Sequence, residues 1–112
     1  MIETRLGKLE KVSFGLGGYQ EACIGFSATI SGQGWGVSTN TSAWDVNKIK
    51  HTEHCKWTEA DRDAEYIKLV KYVSGLLNAA KVDTVDQLNG IAVEATFDDN
   101  TLSECRILTE VL

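Results

Sequence analysis

The sequence predicts an α+β fold: a five-stranded, mostly antiparallel sheet in the order β-β-β-α-α-β-β, with one long helix packed on one face. Three observations predict it. Residues 58–82 repeat apolar side chains every three or four positions, the mark of an amphipathic helix. Residues 22–31 with 35–39, and 91–97 with 105–111, alternate apolar and polar side chains with a period of two, which marks strands with one buried face. Short turns join the members of each pair, and strands joined that way run antiparallel. A chain of 112 residues is one domain, 1–112, with one core.

The first strand falls on residues 5–14, where Leu6, Leu9, Val12 and Phe14 are spread among charged residues. Its alternation changes phase near Gly7, which predicts a bulge or bend there. Gly15-Leu16-Gly17-Gly18 predicts a turn or wide loop. Ala22, Ile24, Phe26, Ala28 and Ile30 then form the clearest strand, and Ser31-Gly32-Gln33-Gly34 turns it into a third strand through Trp35, Val37 and Thr39. Gly34 and Gly36 leave one face of that strand nearly bare, a shape that admits a ligand or another backbone. Periodicity is lost over residues 40–57, which predicts an irregular, partner-facing segment carrying Trp44, Val46, Ile49 and Trp57.

In the long helix, Tyr66, Leu69, Val70, Val73, Leu76, Leu77 and Ala80 form the apolar stripe, and Arg62, Glu65, Lys68, Lys71 and Asn78 fall mostly opposite. Thr58, with Asp61 three residues on, is a start signal: its hydroxyl can take an orphan amide, while Glu59 and Asp61 complement the positive end of the helix dipole. Gly75 costs about 1 kcal/mol in an exposed helix interior, so its presence predicts another element packed close to it. Asp83 or Thr84 caps one further helical turn that Asn89-Gly90 ends. Ile91, Val93, Ala95 and Phe97 make the fourth strand; after the turn Asp98-Asp99-Asn100, Cys105, Ile107 and Val111 run back as the fifth.

Composition narrows the functional classes. Apolar content of 43% and charged content of 24% are ordinary for a globular domain, and the absence of proline removes prolyl switches and proline-rich ligand motifs. No basic leader or membrane-length apolar run occurs, so no membrane partner is expected. Three widely spaced cysteines, Cys23, Cys55 and Cys105, predict reduced thiols in a cytoplasm. Residues 1–57 carry six basic and five acidic side chains, whereas residues 58–112 carry five and eleven. That imbalance disfavours direct nucleic-acid binding and favours basic partners, although a solubilising surface is the simpler account of it.

Motifs for chemistry are weak. The two glycine-rich stretches lack the Lys and Ser or Thr of a phosphate loop and are followed by strands. His51, His54 and Cys55 are metal-ligand types without paired spacings, and adjacent His54 and Cys55 point to opposite sides of an extended chain. No serine elbow occurs, and no metal, cofactor or catalytic residue is implied. Trp35, Trp44 and Trp57, with Tyr19, either close the core or anchor an interface. Arg106 with Glu94, Glu104 and Glu110 reads as a cross-strand charge group on a solvated face.

Leu6-Gly7, Gly18-Tyr19-Gln20-Glu21-Ala22, the run 24–37 with Ser31-Gly32-Gln33-Gly34-Trp35-Gly36, and Val82-Asp83-Thr84-Val85-Asp86-Gln87-Leu88-Asn89-Gly90 carry a resemblance. In these positions the chain resembles a set of small, mostly uncharacterised proteins encoded by tailed bacteriophages and prophages. The resemblance implies a viral accessory protein working in bacterial cytoplasm, and it carries over no catalytic residues. In that setting two mechanisms are expected. One is an anti-defence inhibitor that binds a CRISPR-type host defence complex, displacing nucleic acid with an acidic, tryptophan-bearing surface: Trp44, Asp45, Trp57, Glu94, Glu104 and Glu110. The other is a sponge for a cyclic nucleotide signal, using Gly34, Trp35, Gly36, Arg62 and Arg106, with Lys56 also available, at the interface of a homo-oligomer. Outside anti-defence, the alternative reading is a non-enzymatic auxiliary protein of phage replication or assembly.

Overall fold

The computed structural model describes all 112 residues. Its elements are β1 (Ile2–Gly17), β2 (Cys23–Gly32), β3 (Trp35–Trp44), α1 (Glu59–Ala80), β4 (Ala92–Asp98) and β5 (Thr101–Ile107), with 3-10 turns at Tyr19–Glu21, Val85–Leu88 and Thr109–Val111. The five strands form one sheet in the order β3-β2-β1-β4-β5, every neighbouring pair antiparallel. This is the expected α+β architecture. β1 is central because it is long enough to serve two partners: Ile2 to Lys8 pair with Asp98 to Ala92, and Lys8 to Gly17 pair with Ser31 to Cys23.

Alternation directs one set of side chains inward. Leu9, Phe26, Ile30, Val93, Ala95, Phe97 and Ile107 are buried against Leu69 and Ala80 of α1 and Leu88 of the 3-10 turn. Phe26, Ile30, Leu88 and Val93 are fully enclosed, each contributing about 1.5–3 kcal/mol of burial. The shortest dimension of the molecule, 21 Å, is that of one sheet and one helix.

The helix starts as predicted. Thr58 Oγ1 accepts from the Asp61 amide at 3.1 Å, and Asp61 Oδ2 accepts from the Thr58 amide at 2.8 Å. Lys81, left-handed at φ 60°, ends it. Its buried line differs from the expected stripe. Val70 is exposed, Tyr72 packs edge-on against Phe26 with ring centroids 5.8 Å apart, and Arg62 is buried. Arg62, Tyr66, Leu69, Val73, Leu76 and Ala80 follow one another at steps of four and three, so position puts Arg62 inward although its charge suggests the opposite. Gly75 has open space around it, and no element packs there.

The structure corrects four further boundaries. The bulge of β1 lies between Glu10 and Ser13, with Lys11 at φ 51°, and not at Gly7. Gly7 has a different reason: a Cβ there would lie 2.6 Å from Ser31 O and 3.1 Å from the Trp35 ring, and one at Gly32 would lie 2.3 Å from Trp35 Nε1. These two glycines make room for the indole. Gly15 to Gly17 continue β1, and only Gly18, at φ 74°, turns the chain. β3 runs on to Trp44 instead of ending at Thr39. Val111 is exposed in a 3-10 turn beyond β5, because the chain leaves the sheet after Ile107.

Candidate functional site

Where β3 ends, the chain folds back over the start of α1. Asp45 continues the register of β3 by one residue, its amide donating to Ala22 O at 2.8 Å. Its carboxylate then accepts from the amides of Asn47 and Lys48, both at 3.1 Å, which turns the chain sharply. The Val46 amide donates to Tyr66 Oη at 2.8 Å, tying the turn to the helix. Further on, Arg62 Nη1 donates to Ile49 O at 2.6 Å. Trp57 lies over the same guanidinium, 4.8 Å from its ring centroid, and His51 meets Trp57 edge-on at 5.2 Å. A buried cation is thus held by a carbonyl and an aromatic face, with no carboxylate within ion-pair distance.

This arrangement leaves a cleft of about 610 Å³ between the end of β3 and the first turns of α1. Trp44, Trp57, Ala43 and Ala64 give it apolar walls, and Asp61 and Glu65 stand beside them. Of the residues singled out from the sequence, Trp44, Trp57 and Arg62 therefore meet at one place. Asp45 adjoins it, but its side chain is turned into the fold, 9% exposed, and is occupied by the turn it builds. Asp61 and Glu65 were legible only as helix residues. Their spacing of four puts them on one side of α1, the signal that they would act together.

The other acidic group lies at the far side of the sheet. Glu94 faces Arg106 across the β4–β5 ladder, and Glu104 follows on the same outer face opposite Thr96. Arg106 Nε donates to Glu94 at 3.1 Å, while its two terminal nitrogens grip Glu110 at 3.0 and 2.9 Å. The Arg106 fork holds the Glu110 carboxyl down to about 2, and the two carboxylates raise the already high Arg106. Two of the three predicted glutamates are thus neutralised locally, and Glu104 alone is without a salt bridge.

A titration checks this clamp. With the folded value depressed, the pair's contribution is present above the ordinary 4.5 and is lost as pH falls towards about 2. Arg106→Met is expected to return the Glu110 carboxyl, followed by carbon-detected NMR, to its ordinary range. Because the pair is solvent-exposed, the unfolding midpoint should barely change at neutral pH. An unchanged Glu110 titration would remove the clamp.

The five residues expected to form a nucleotide site do not assemble. Gly34 forms the hairpin turn at φ 79°, and Trp35 is directed inward, edge-on to Phe97 at 5.5 Å with Arg5 over both rings. Gly36 lies on the outer face of β3, Arg62 is under Trp57, and Arg106 is at the opposite edge. A hollow of about 450 Å³ does exist on the outer face. Its floor comes from Ser13, Gly15, Gly17, Gly25 and Ser27, and no charged side chain lines it.

No protein-family model, curated protein or solved structure matches this chain. His51 bonds to Trp57 O at 3.0 Å, Cys55 contacts Thr52 at 3.7 Å, and no group of three metal-ligating side chains gathers anywhere. Cys105 packs on the core, where burial pushes its thiol up to about 11, the environment of an unreactive sulfur. No helix is long and apolar enough to cross a membrane.

Proposed function

We propose that this chain is a phage-encoded accessory protein acting without catalysis, as an inhibitor that binds a CRISPR-type, nucleic-acid-binding host defence complex. The observation that carries the reading is the cleft in which Trp44 and Trp57 stand beside Asp61 and Glu65. Large aromatic side chains supply contact area at low entropic cost, and flanking carboxylates suit the Lys- and Arg-rich groove of a protein that holds nucleic acid. The excess of acid in the second half of the chain supports the same choice of partner. The phage setting comes from the resemblance in its glycine and hydrophobic positions. A cyclic-nucleotide sponge is the weaker reading, because Arg62 and Arg106 are both engaged within the fold and lie apart.

The test is phage plating on bacteria that carry a CRISPR-type system and express the chain. Expression is expected to restore plaques, and Asp61→Asn with Glu65→Gln to abolish the rescue while Glu94→Gln with Glu104→Gln keeps it. Pull-down from the same cells should recover a nucleic-acid-binding complex that is lost as salt rises. No rescue against any such system, with only phage structural proteins recovered, would replace this reading by a role in phage replication or assembly.

A further inference from the structure

β3 is an undefended sheet edge. Sheet proteins normally blunt their edges with charge, proline, bulges or short length. β5, at the other edge, has seven residues, a register shift and the charged pair Glu104 and Arg106. β3 has ten residues, Trp35–Trp44, with no charge, no proline and an unbroken register against β2. The bond from the Asp45 amide to Ala22 O sets its hydrogen-bonding phase: odd-numbered residues bond to β2, and even-numbered ones turn their backbone groups outward. Outside the sheet ladder, Gly36, Ser38, Asn40, Ser42 and Trp44 make no backbone hydrogen bond. That row of open groups leads at Ser42 and Trp44 directly into the cleft.

We infer that the edge of β3 and the cleft beside it form one groove, which takes an extended segment of a partner protein as a sixth strand. Backbone pairing supplies the affinity, and one Lys or Arg side chain supplies the specificity. Its aliphatic stem lies on the Trp44 and Trp57 rings, and its charged head reaches Glu65, in place of the exposed Lys68 that stands 3.7 Å from that carboxylate, and the Asp61 oxygen that the helix cap leaves free. The uncharged edge asks for an uncharged, β-prone stretch before that residue. Arg62 does not oppose the cation directly, because its guanidinium is roofed by Trp57 and bonded to Ile49 O. This inference rests on the proposed contact function and names its mode, but it is testable without any host protein.

Three synthetic decapeptides serve as probes: a Thr/Val-alternating sequence with one Arg near its end, the same with Glu in place of Arg, and the Arg peptide with alternate backbone nitrogens methylated. The Arg peptide is expected to slow amide exchange at Ser38, Asn40 and Ser42 at least tenfold, the other two to bind at least tenfold more weakly. Asn40→Pro removes one outward amide that the fold does not use, so it should abolish binding while the far-UV spectrum and melting temperature are kept. Equal binding of the methylated peptide, or tighter binding of the Glu peptide, overturns the inference. So does protein that dimerises through β3 and ignores all three peptides. Loss of plaque rescue in Asp61→Asn with Glu65→Gln but not in Asn40→Pro would leave the contact function standing without strand addition.

Discussion

Phe26→Ala is expected to lower the melting temperature by about 15 °C, the largest effect of any single core truncation in this chain. Phe26 is 1% exposed, at the centre of β2, and its ring meets Tyr72 of α1 edge-on. Truncation costs about 3–5 kcal/mol of burial and packing, the aromatic pair's share included. Only 15 of 112 residues are buried, so such a loss is a large part of a stability of about 5–15 kcal/mol. Phe14, paired with Phe26 on the same face but 44% exposed, is the internal control. Its truncation should cost about 1 kcal/mol or less. Urea unfolding with an unchanged slope measures both, and equal costs would mean that the helix does not close over β2 as described.

Arg62→Ala is the second. It removes the donor to Ile49 O and the cation under Trp57, together about 2–4 kcal/mol. Arg62→Lys should recover less than half, since a lysine cannot stack a planar group while reaching the carbonyl. The loss has a location: amides of residues 46–57 should exchange faster and trypsin should cut at Lys48 or Lys50, while the sheet core keeps its protection. Uniform loss of protection across the molecule would show that Arg62 supports the whole fold and not this segment.

The legibility of the fold varied with how directly side-chain pattern maps onto burial. β2 and β4 were readable because Phe26, Ala28 and Ile30, and Val93, Ala95 and Phe97, keep strict period-two order on one wet-faced sheet. β1 was readable as a strand over residues 5–14 but not in its phase, since Leu6 faces outward and the true change of phase occurs at Lys11. The last five residues of β3 were missed because Asn40, Thr41 and Ser42 are polar on both faces, and only the small Ala43 marks the inner one. The start of α1 was legible from Thr58 and Asp61, being local chemistry, whereas nothing in the sequence marked its end at the left-handed Lys81.

The site was legible in parts. Trp44 and Trp57 stood out as residue types, but their meeting depends on the bonds of Val46 to Tyr66 and of Arg62 to Ile49, contacts between distant positions that no spacing reveals. Arg62 was assigned to solvent because charge normally decides exposure, and here a carbonyl and an indole outweigh it. Glu94 and Arg106 were recognised as cross-strand neighbours, whereas the grip on Glu110 comes from the 3-10 turn after β5.

Hydrogen–deuterium exchange of the chain, alone and bound to the complex it captures, tests most directly where contact is made. Protection is expected over residues 36–44 and 57–65, with residues 92–110 unchanged. Protection confined to 92–110, around Arg106 and its glutamates, would contradict the account.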